Sequence, residues 1–233
     1  MEARSPESPG AEAPTLPRLI LFTKPAVPGR VKTRLIGALD ARQTAALHQA
    51  FLDDLLERLA GGAFELRIAW ALEGDEVVPA SPAPGERQEG ADLGERLFRA
   101  LSRGAAEGRP VAAIGSDHPG LGRGDVEAAF AALESADVAL GPVADGGYYL
   151  IALRPEVVSP RLFGDIPWST GEVFALTLER CRAAGLEVAI LPPGSDVDTP
   201  EDLDRLVAAI AAGRIVGPRI EALLQSWGRG DRR

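Results

Sequence analysis

Short apolar runs alternate with amphipathic stretches along most of this chain. The apolar runs are too short for helices and are typical of buried strands, whereas apolar residues recurring every three or four positions predict helices. We predict strands over 18–23, 64–72, 111–115, 137–142, 148–153 and 186–191. We predict helices over 41–59, 123–133 and 200–213. Two more helices are predicted to end near residues 106 and 184, and one short helix lies within the tail. This alternation predicts an α/β domain with a largely parallel sheet.

Capping signals sharpen three of the predicted helices. Asp40 with Gln43 and Ser169 with Glu172 each fit a capping box, and Thr199 precedes a proline at the first helical position. The Asp-Gly-Gly sequence before residue 148 favours a hairpin or an antiparallel strand, and therefore a mixed sheet. We expect the Pro- and Gly-rich stretch 73–90 to be a loop. His48 falls outside the apolar stripe of its helix, so we expect it to be exposed.

Composition narrows the class of protein. The 233 residues are 45% hydrophobic and carry a net charge of −9, which fits one globular domain and argues against binding of duplex nucleic acid. The single cysteine, Cys181, excludes a disulfide framework and a Cys-rich zinc site, and we expect it to be buried. The sequence contains no run apolar and long enough to insert into a membrane and no signal peptide, so we expect a cytoplasmic protein.

The same composition suggests three segments. Residues 1–17 are rich in Pro, Glu, Ser and Ala, and we expect a flexible leader there. The alternating strands and helices occupy 18–213, the predicted domain. Residues 214–233 are expected to form a C-terminal helix and a polar tail.

A basic loop follows the first predicted strand. It contains Gly29 and four cations, and the next predicted element is a helix. Backbone N–H groups and a helix N-terminus favour anions, so such a loop suits phosphate binding, although it lacks the glycine pattern of a Walker A loop. A solvated basic loop is the alternative. The cations are Lys24, Arg30, Lys32 and Arg34.

Carboxylates occur at two later positions that a sheet can bring together. Asp117 directly follows the apolar strand 111–115, and ligands of open α/β sheets bind outside the carboxyl ends of the strands. Asp196 and Asp198 follow the last predicted strand. These carboxylates could stabilise the positive N-terminal end of the helix that follows. Because Thr199 already caps that helix, they are not needed for this role. Cations that bind phosphate, together with carboxylates that bind a metal ion, are typical of a nucleotide-binding site.

Three further features admit either a structural or a binding role. Gln88, Gly90 and Gly94 would let backbone approach a flat ligand, or form a plain turn before a helix. Asp145 stands beside two glycines that leave room for a ligand. Trp168 is equally suited to a pocket wall and to the core.

Five motifs in this order resemble the nucleotide-diphospho-sugar transferase superfamily, and within it the DUF2064-type bacterial glycosyltransferase-like proteins. The resemblance covers 19–212 and implies a single-domain, Rossmann-like GT-A fold. The motifs are Phe22-Thr23-Lys24-Pro25 with Gly29-Arg30-Val31-Lys32-Thr33-Arg34-Leu35; Gln88-x-Gly90-x-x-Leu93-Gly94-x-Arg96-Leu97; Gly115-Ser116-Asp117-x-Pro119; Gly141-Pro142-x-x-Asp145-Gly146-Gly147-Tyr148-Tyr149; and Trp168-Ser169-Thr170 with Asp196-Val197-Asp198-Thr199.

The resemblance implies a role for each motif. The loop around Gly29 to Arg34 would hold the nucleotide phosphates, with Lys32 and Arg34 as the main charges. Asp117 and Asp198 would hold Mg²⁺ or Mn²⁺. The remaining residues divide between two ligands: Gln88 and Gly94 would lie near the base, and Asp145, Gly146, Gly147 and Trp168 near the sugar or acceptor.

One departure bears on the reaction. Glycosyltransferases of the superfamily usually carry Asp-x-Asp at the metal strand, where this chain has Ser116-Asp117-His118. The leading prediction is a metal-dependent glycosyltransferase that takes a nucleotide sugar and a small-molecule acceptor, with Lys32, Asp117 and Asp145 as catalytic candidates. The first alternative is a nucleotidyltransferase that joins a nucleoside triphosphate to a phosphorylated small molecule. The second is a noncatalytic nucleotide-binding protein. The base, the acceptor and the oligomeric state stay open on the residues alone.

Overall fold

A seven-stranded mixed sheet forms the centre of the computed structural model, which describes residues 15–229. The strands lie in the order β3-β2-β1-β4-β6-β5-β7, and only β6 runs antiparallel to its neighbours. This mixed, mostly parallel α/β sheet is the predicted fold class. The strands are β1 (Arg18–Thr23), β2 (Glu65–Trp70), β3 (Gly85–Arg87), β4 (Val111–Gly115), β5 (Val138–Pro142), β6 (Tyr148–Leu153) and β7 (Val188–Ile190).

The central position of β1 follows from its sequence. Leu19, Ile20 and Leu21 are at most 1% exposed, because β1 is paired on both edges and covered by helices on both faces. Such strands are uninterrupted apolar runs rather than alternating ones. Since β1, β2, β4, β5 and β7 all run the same way, their carboxyl ends meet at one edge of the sheet, and the first residues of β6 join them there.

Residues 15–229 contain six α-helices, and α1 to α4 cover the two faces of the sheet. One apolar layer on a face of the sheet contains side chains of α1 and α3, and the opposite layer contains side chains of α2 and α4. Cys181 of α4 is fully buried in the second layer, as predicted. The helices are α1 (Ala41–Leu59), α2 (Leu93–Ala105), α3 (Arg123–Ala132), α4 (Val173–Ala183), α5 (Pro200–Ala211) and α6 (Pro218–Ser226).

The C-terminal helix α6 packs against α1 in a third apolar cluster that also includes α5. Asp54 of α1, 2% exposed, caps α6: its carboxylate accepts the backbone N–H groups of Arg219 and Ile220 at 3.2 and 3.1 Å. A cap supplied by another helix fixes where α6 begins. Most of the predicted leader, and the end of the predicted tail, lie outside the described residues.

The structure corrects two local predictions. Within the predicted loop 73–90, Gly85–Arg87 pairs with β2 as the edge strand β3. The predicted Ser169–Glu172 capping box does not form: Ser169 has a left-handed backbone, and α4 begins at Val173 without a side-chain cap. The capping boxes at Asp40 and Thr199 do form. Among residues 15–229, no helix combines the length and apolarity needed to cross a bilayer.

Candidate active site

A cavity of about 580 Å³ opens at the carboxyl edge of the sheet. Charged side chains from loops that are far apart in sequence surround its mouth, and apolar side chains of β1, β6 and α2 line the recess beneath. The charged lining residues are Lys24, Arg34, Asp117, Asp145, Asp196 and Asp198. The position agrees with the expectation that ligands bind where the parallel strands end.

Lys32 ties the first loop to the last acidic segment. Its side chain is 2% exposed, and Nζ lies 2.5 Å from Asp117 Oδ1 and 3.4 Å from Asp198 Oδ1. Nζ also donates to the carbonyl oxygen of Val197 at 2.7 Å. Lys32 has a left-handed backbone, with φ 49°, a conformation that costs a residue with a side chain about 1 kcal/mol. The buried ion pairs hold it there.

The two predicted metal ligands therefore face each other across Lys32. Arg34 lies on the solvent side, with Nη1 3.8 Å from Asp198 Oδ2, and two thirds of its side chain is exposed. Burial alone would raise the pKa of Asp117, but Lys32 outweighs it and the pKa is lowered. Asp117 is thus ionised, as a metal ligand must be.

Four carboxylates share this cavity, and their charges add. Burial raises the pKa of Asp196, the charges of Asp117, Asp198 and Asp145 raise it further against the opposing effect of Lys32, and it reaches about 7. Carboxylate oxygens are the ligands that Mg²⁺ prefers. Within residues 15–229, no three His, Cys, Asp or Glu side chains form a complete metal cage. An ion here would take its remaining ligands from phosphate or water, as Mg²⁺ usually does.

His48 is buried, not exposed as its place on α1 had predicted. It is 3% exposed, and Nε2 lies 3.0 Å from the carbonyl oxygen of Lys24 and 3.3 Å from the hydroxyl of Thr23. That hydroxyl lies 3.0 Å from Oγ of Ser116. His48 thus connects the ends of β1 and β4 beneath the site. The spacing of four residues between Thr44 and His48 could have indicated this burial, because Thr44 is fully buried on the same face of α1.

Five residues of the predicted nucleotide site lie outside the lining of the main cavity: Gly29, Arg30, Lys32, Gln88 and Gly94. Arg30 is ion-paired to Glu73 and Glu76 at 3.0 and 2.5 Å. Gln88 donates its amide N–H groups to the carbonyl oxygens of Thr23 and Ala69 at 3.2 and 2.8 Å, so that side chain braces β1 and β2. Gly29 forms the turn before Lys32 with φ 79°.

Trp168 forms one wall of the cavity, and Gly94 packs against its indole. Gly94 belongs to the first turn of α2, and a Cβ there would collide with the carbonyl oxygen of Phe163 and the indole of Trp168. Trp168 lines the cavity and meets Tyr148 edge-on, with ring centroids 6.4 Å apart. Its flank also packs against the core layer of α2 and α4, so it serves both predicted alternatives.

The Asp145 turn forms the opposite rim. Asp145 is exposed, and its Oδ1 accepts the backbone N–H of Gly147 at 3.1 Å. Gly146 has φ 88° and lies against the backbone of Gly171, where a side chain has no room. Its carbonyl oxygen accepts the N–H of Phe174 in α4 at 2.8 Å. The turn is therefore fixed to the segment that carries Trp168.

Comparison with known proteins gives concordant matches. The family described as an uncharacterized protein conserved in bacteria (DUF2064) matches residues 82–170. A 3-phospho-D-glycerate guanylyltransferase of Phenylobacterium zucineum (strain HLK1) is 33% identical over 208 residues, which are 84% of this chain and 92% of that protein. A 2-phospho-L-lactate guanylyltransferase of Methanothermobacter thermautotrophicus (strain Delta H) is 30% identical over 183 residues, 76% of this chain and 78% of that protein.

A solved structure matches nearly the whole chain. It is a crystal structure from Desulfovibrio desulfuricans G20, assigned as a nucleotide-diphospho-sugar transferase, with a TM-score of 0.84 and 33% identity. The match covers 91% of this chain and 95% of that one.

Proposed function

We propose, from the premise that this chain belongs to the DUF2064 family of the nucleotide-diphospho-sugar transferase superfamily, that it is a nucleotidyltransferase. The chain is a transferase. The proposed reaction moves a nucleoside monophosphate from a triphosphate, with GTP as the first candidate, to a phosphorylated small molecule. The 33% identity to a guanylyltransferase over 92% of that protein is the observation that carries the proposal, and it favours this alternative over glycosyl transfer.

The proposed step forms one bond and breaks one. A phosphate oxygen of the acceptor attacks the α-phosphorus of the triphosphate, and the bond from that phosphorus to the oxygen bridging to the β-phosphorus breaks. Pyrophosphate leaves with the electron pair. A phosphate dianion attacks without losing a proton, since its second pKa is near 6. Asp145, one of the catalytic candidates, is therefore not needed as a general base and is free to contact the acceptor.

Charge neutralisation is the main task of the protein in this step. Lys32, fixed between Asp117 and Asp198, and the loop cations Lys24 and Arg34 would face the triphosphate. Asp117 and Asp198 would hold Mg²⁺ or Mn²⁺, and the surplus of carboxylates fits a cation in this cavity. When bound, such an ion would offset the negative charge that builds up on the leaving pyrophosphate.

Thermal stabilisation distinguishes the two transferase reactions. Nucleoside triphosphates and nucleotide sugars are each added with Mg²⁺ or with EDTA, and the unfolding temperature is recorded. A ligand at a hundred times its Kd adds about 2.7 kcal/mol, about 5–10 °C for a chain of this size. We expect one triphosphate, with Mg²⁺, to give the largest shift. Stabilisation by a nucleotide sugar alone would support glycosyl transfer instead.

The substitution Asp117→Asn tests whether Asp117 binds the metal ion, because it removes the negative charge of that one side chain. We expect this variant to lose the Mg²⁺-dependent part of the stabilisation and its pyrophosphate release. Asp204→Asn, on an exposed position of α5, is the matched control and should behave as the wild type. Unchanged nucleotide stabilisation and turnover in Asp117→Asn would refute the site.

A further inference from the structure

The cavity has two parts with different linings: a mouth lined by charged side chains and a recess lined by apolar ones. The mouth holds Lys24 and Arg34 with the four aspartates. The recess lies between the sheet and α2, and no charged side chain of residues 15–229 lines it. Its walls are the side chains of Phe22, Leu93, Leu97, Ile151, Trp168 and Val173.

The two cations lining this cavity both come from the loop that faces the proposed triphosphate. Neither lies on β6 or the Trp168 segment, which form the other side. An acceptor with a carboxylate, like those in the names of the guanylyltransferase relatives, would bring a further negative charge beside Asp145 and Asp196, and no further cation among residues 15–229 lines the cavity to pair it. An uncompensated charge in a partly buried site is strongly disfavoured.

The recess instead offers contacts for an uncharged molecule. The Trp168 ring is held edge-on by Tyr148, at an interplanar angle of 81°, and is backed by Gly94, so it forms a rigid wall. Such a wall suits the nonpolar face of a ring or carbon chain. Asp145 is exposed at the rim, with one carboxylate oxygen engaged by the N–H of Gly147, and the other can accept a hydroxyl group.

We infer that the acceptor is a phosphomonoester of an uncharged, hydroxyl-bearing molecule with an apolar face, and not a phosphorylated carboxylic acid. This inference rests on the proposed nucleotidyl transfer, in which the acceptor phosphate attacks the α-phosphorus and pyrophosphate leaves. It departs from the acceptors named for the relatives at 30–33% identity.

A matched pair of acceptors tests the charge. Glycerol 3-phosphate and 3-phosphoglycerate differ only by a hydroxymethyl group in place of a carboxylate, and a hexose 1-phosphate adds a larger uncharged body. With the triphosphate selected by thermal stabilisation and Mg²⁺, pyrophosphate release is measured for each. We expect kcat/KM for glycerol 3-phosphate to exceed that for 3-phosphoglycerate by at least about 30-fold, a difference of about 2 kcal/mol. The hexose phosphate should be better still.

The outcomes separate this inference from the proposed function. Preference for 3-phosphoglycerate would overturn the inference and leave nucleotidyl transfer standing. No pyrophosphate release with any acceptor, together with binding of a nucleotide sugar, would overturn both.

Two variants locate the acceptor against the recess. Trp168→Leu should raise the KM for the acceptor about tenfold or more with little change in the KM for the triphosphate, and Trp168→Phe should restore much of the loss. Trp227→Leu, the same change directly after α6 in the third apolar cluster, is the matched control. A raised KM for the triphosphate alone would assign the wall to the base and overturn the inference.

Asp145→Asn tests the charge from the protein side. Removing this carboxylate should raise kcat/KM for 3-phosphoglycerate and lower it for glycerol 3-phosphate, so that the preference narrows. An equal loss of kcat/KM with both acceptors would show that Asp145 does not discriminate between acceptors by their charge.

Discussion

The two ends of the sheet shift the pKa of a carboxylate in opposite directions. At the amino end, Glu65 opens β2 among arginines; burial alone would raise its pKa, but hydrogen bonds from Arg67, Arg109 and Arg18 lower it to about 2. At the carboxyl end, burial and neighbouring carboxylates raise the pKa of Asp196 to about 7. Both groups lie at the margin of the same sheet, and the difference comes from how deeply each is buried and from the charge of its neighbours.

The contrast separates a structural charge cluster from a binding site. The amino-end carboxylates are matched by arginines: Glu107 pairs with Arg18 and Arg109 in addition to the contacts of Glu65. Such a network is complete without any further molecule. The carboxyl-end carboxylates outnumber the cations that touch them, and in the proposed function a bound metal ion would supply the missing positive charge.

Replacing Lys32 should give the largest effect. Lys32→Met removes the cation between Asp117 and Asp198, and we expect kcat for nucleotidyl transfer to fall by about 10²–10³-fold, the usual result of removing one group that stabilises transition-state charge. Steady-state pyrophosphate release measures it. Circular dichroism and the unfolding temperature establish that the variant is folded.

Lys32→Arg sharpens this test. It keeps the charge but changes a compact ammonium to a planar fork, so activity should recover only in part. Full activity in Lys32→Met would mean that the buried ion pairs serve stability alone, and the contrast between the two ends of the sheet would be lost.

Glu65→Gln should act on stability and leave turnover unchanged. Glu65 accepts from Arg67 Nε at 2.8 Å and from Arg18 Nη2 at 3.3 Å, and its removal should cost about 1–2 kcal/mol, or several degrees in the unfolding temperature. Differential scanning calorimetry at pH 7 measures the cost. A loss of turnover at unchanged stability would contradict the structural assignment.

The pH dependence of that cost has a fixed sign. The folded pKa of Glu65, about 2, is below its ordinary value of 4.5, so the stabilisation is complete above pH 4.5 and is lost as the pH falls towards 2. The gap between wild type and Glu65→Gln should therefore be widest near neutral pH and close in acid. A constant gap from pH 7 to pH 3 would show that the arginines do not depress the pKa.

Both ends of the sheet also show what the sequence could predict. The apolar runs located most strands to within one or two residues, because a strand covered on both faces has few alternatives. The edge strand Gly85–Arg87 was missed, since three residues at the margin carry no hydrophobic pattern. In the site, the basic loop was visible in part because Lys24 and Lys32 belong to it, and these are the only lysines of the chain.

What the sequence could not predict is how the charges are paired. Arg30 and Lys32 are two residues apart in one loop, yet Arg30 turns away to Glu73 and Glu76, and Lys32 reaches 165 residues along the chain to the carbonyl of Val197. The left-handed backbone at Lys32 sends the side chain inward. That conformation depends on long-range contacts, which no local pattern contains.

Asp196→Asn gives the smallest expected effect and the opposite sign to Glu65→Gln. Removing one of several mutually repelling carboxylates should raise the ligand-free unfolding temperature in EDTA by about 1–2 °C, or about 0.5 kcal/mol. Saturating Mg²⁺ and triphosphate should abolish or reverse the gain, because the bound cation then offsets the repulsion. Asp204→Asn, exposed on α5, is the control. Two amide substitutions with opposite signs would establish that the amino end is built for stability and the carboxyl end for a ligand; destabilisation by both would not.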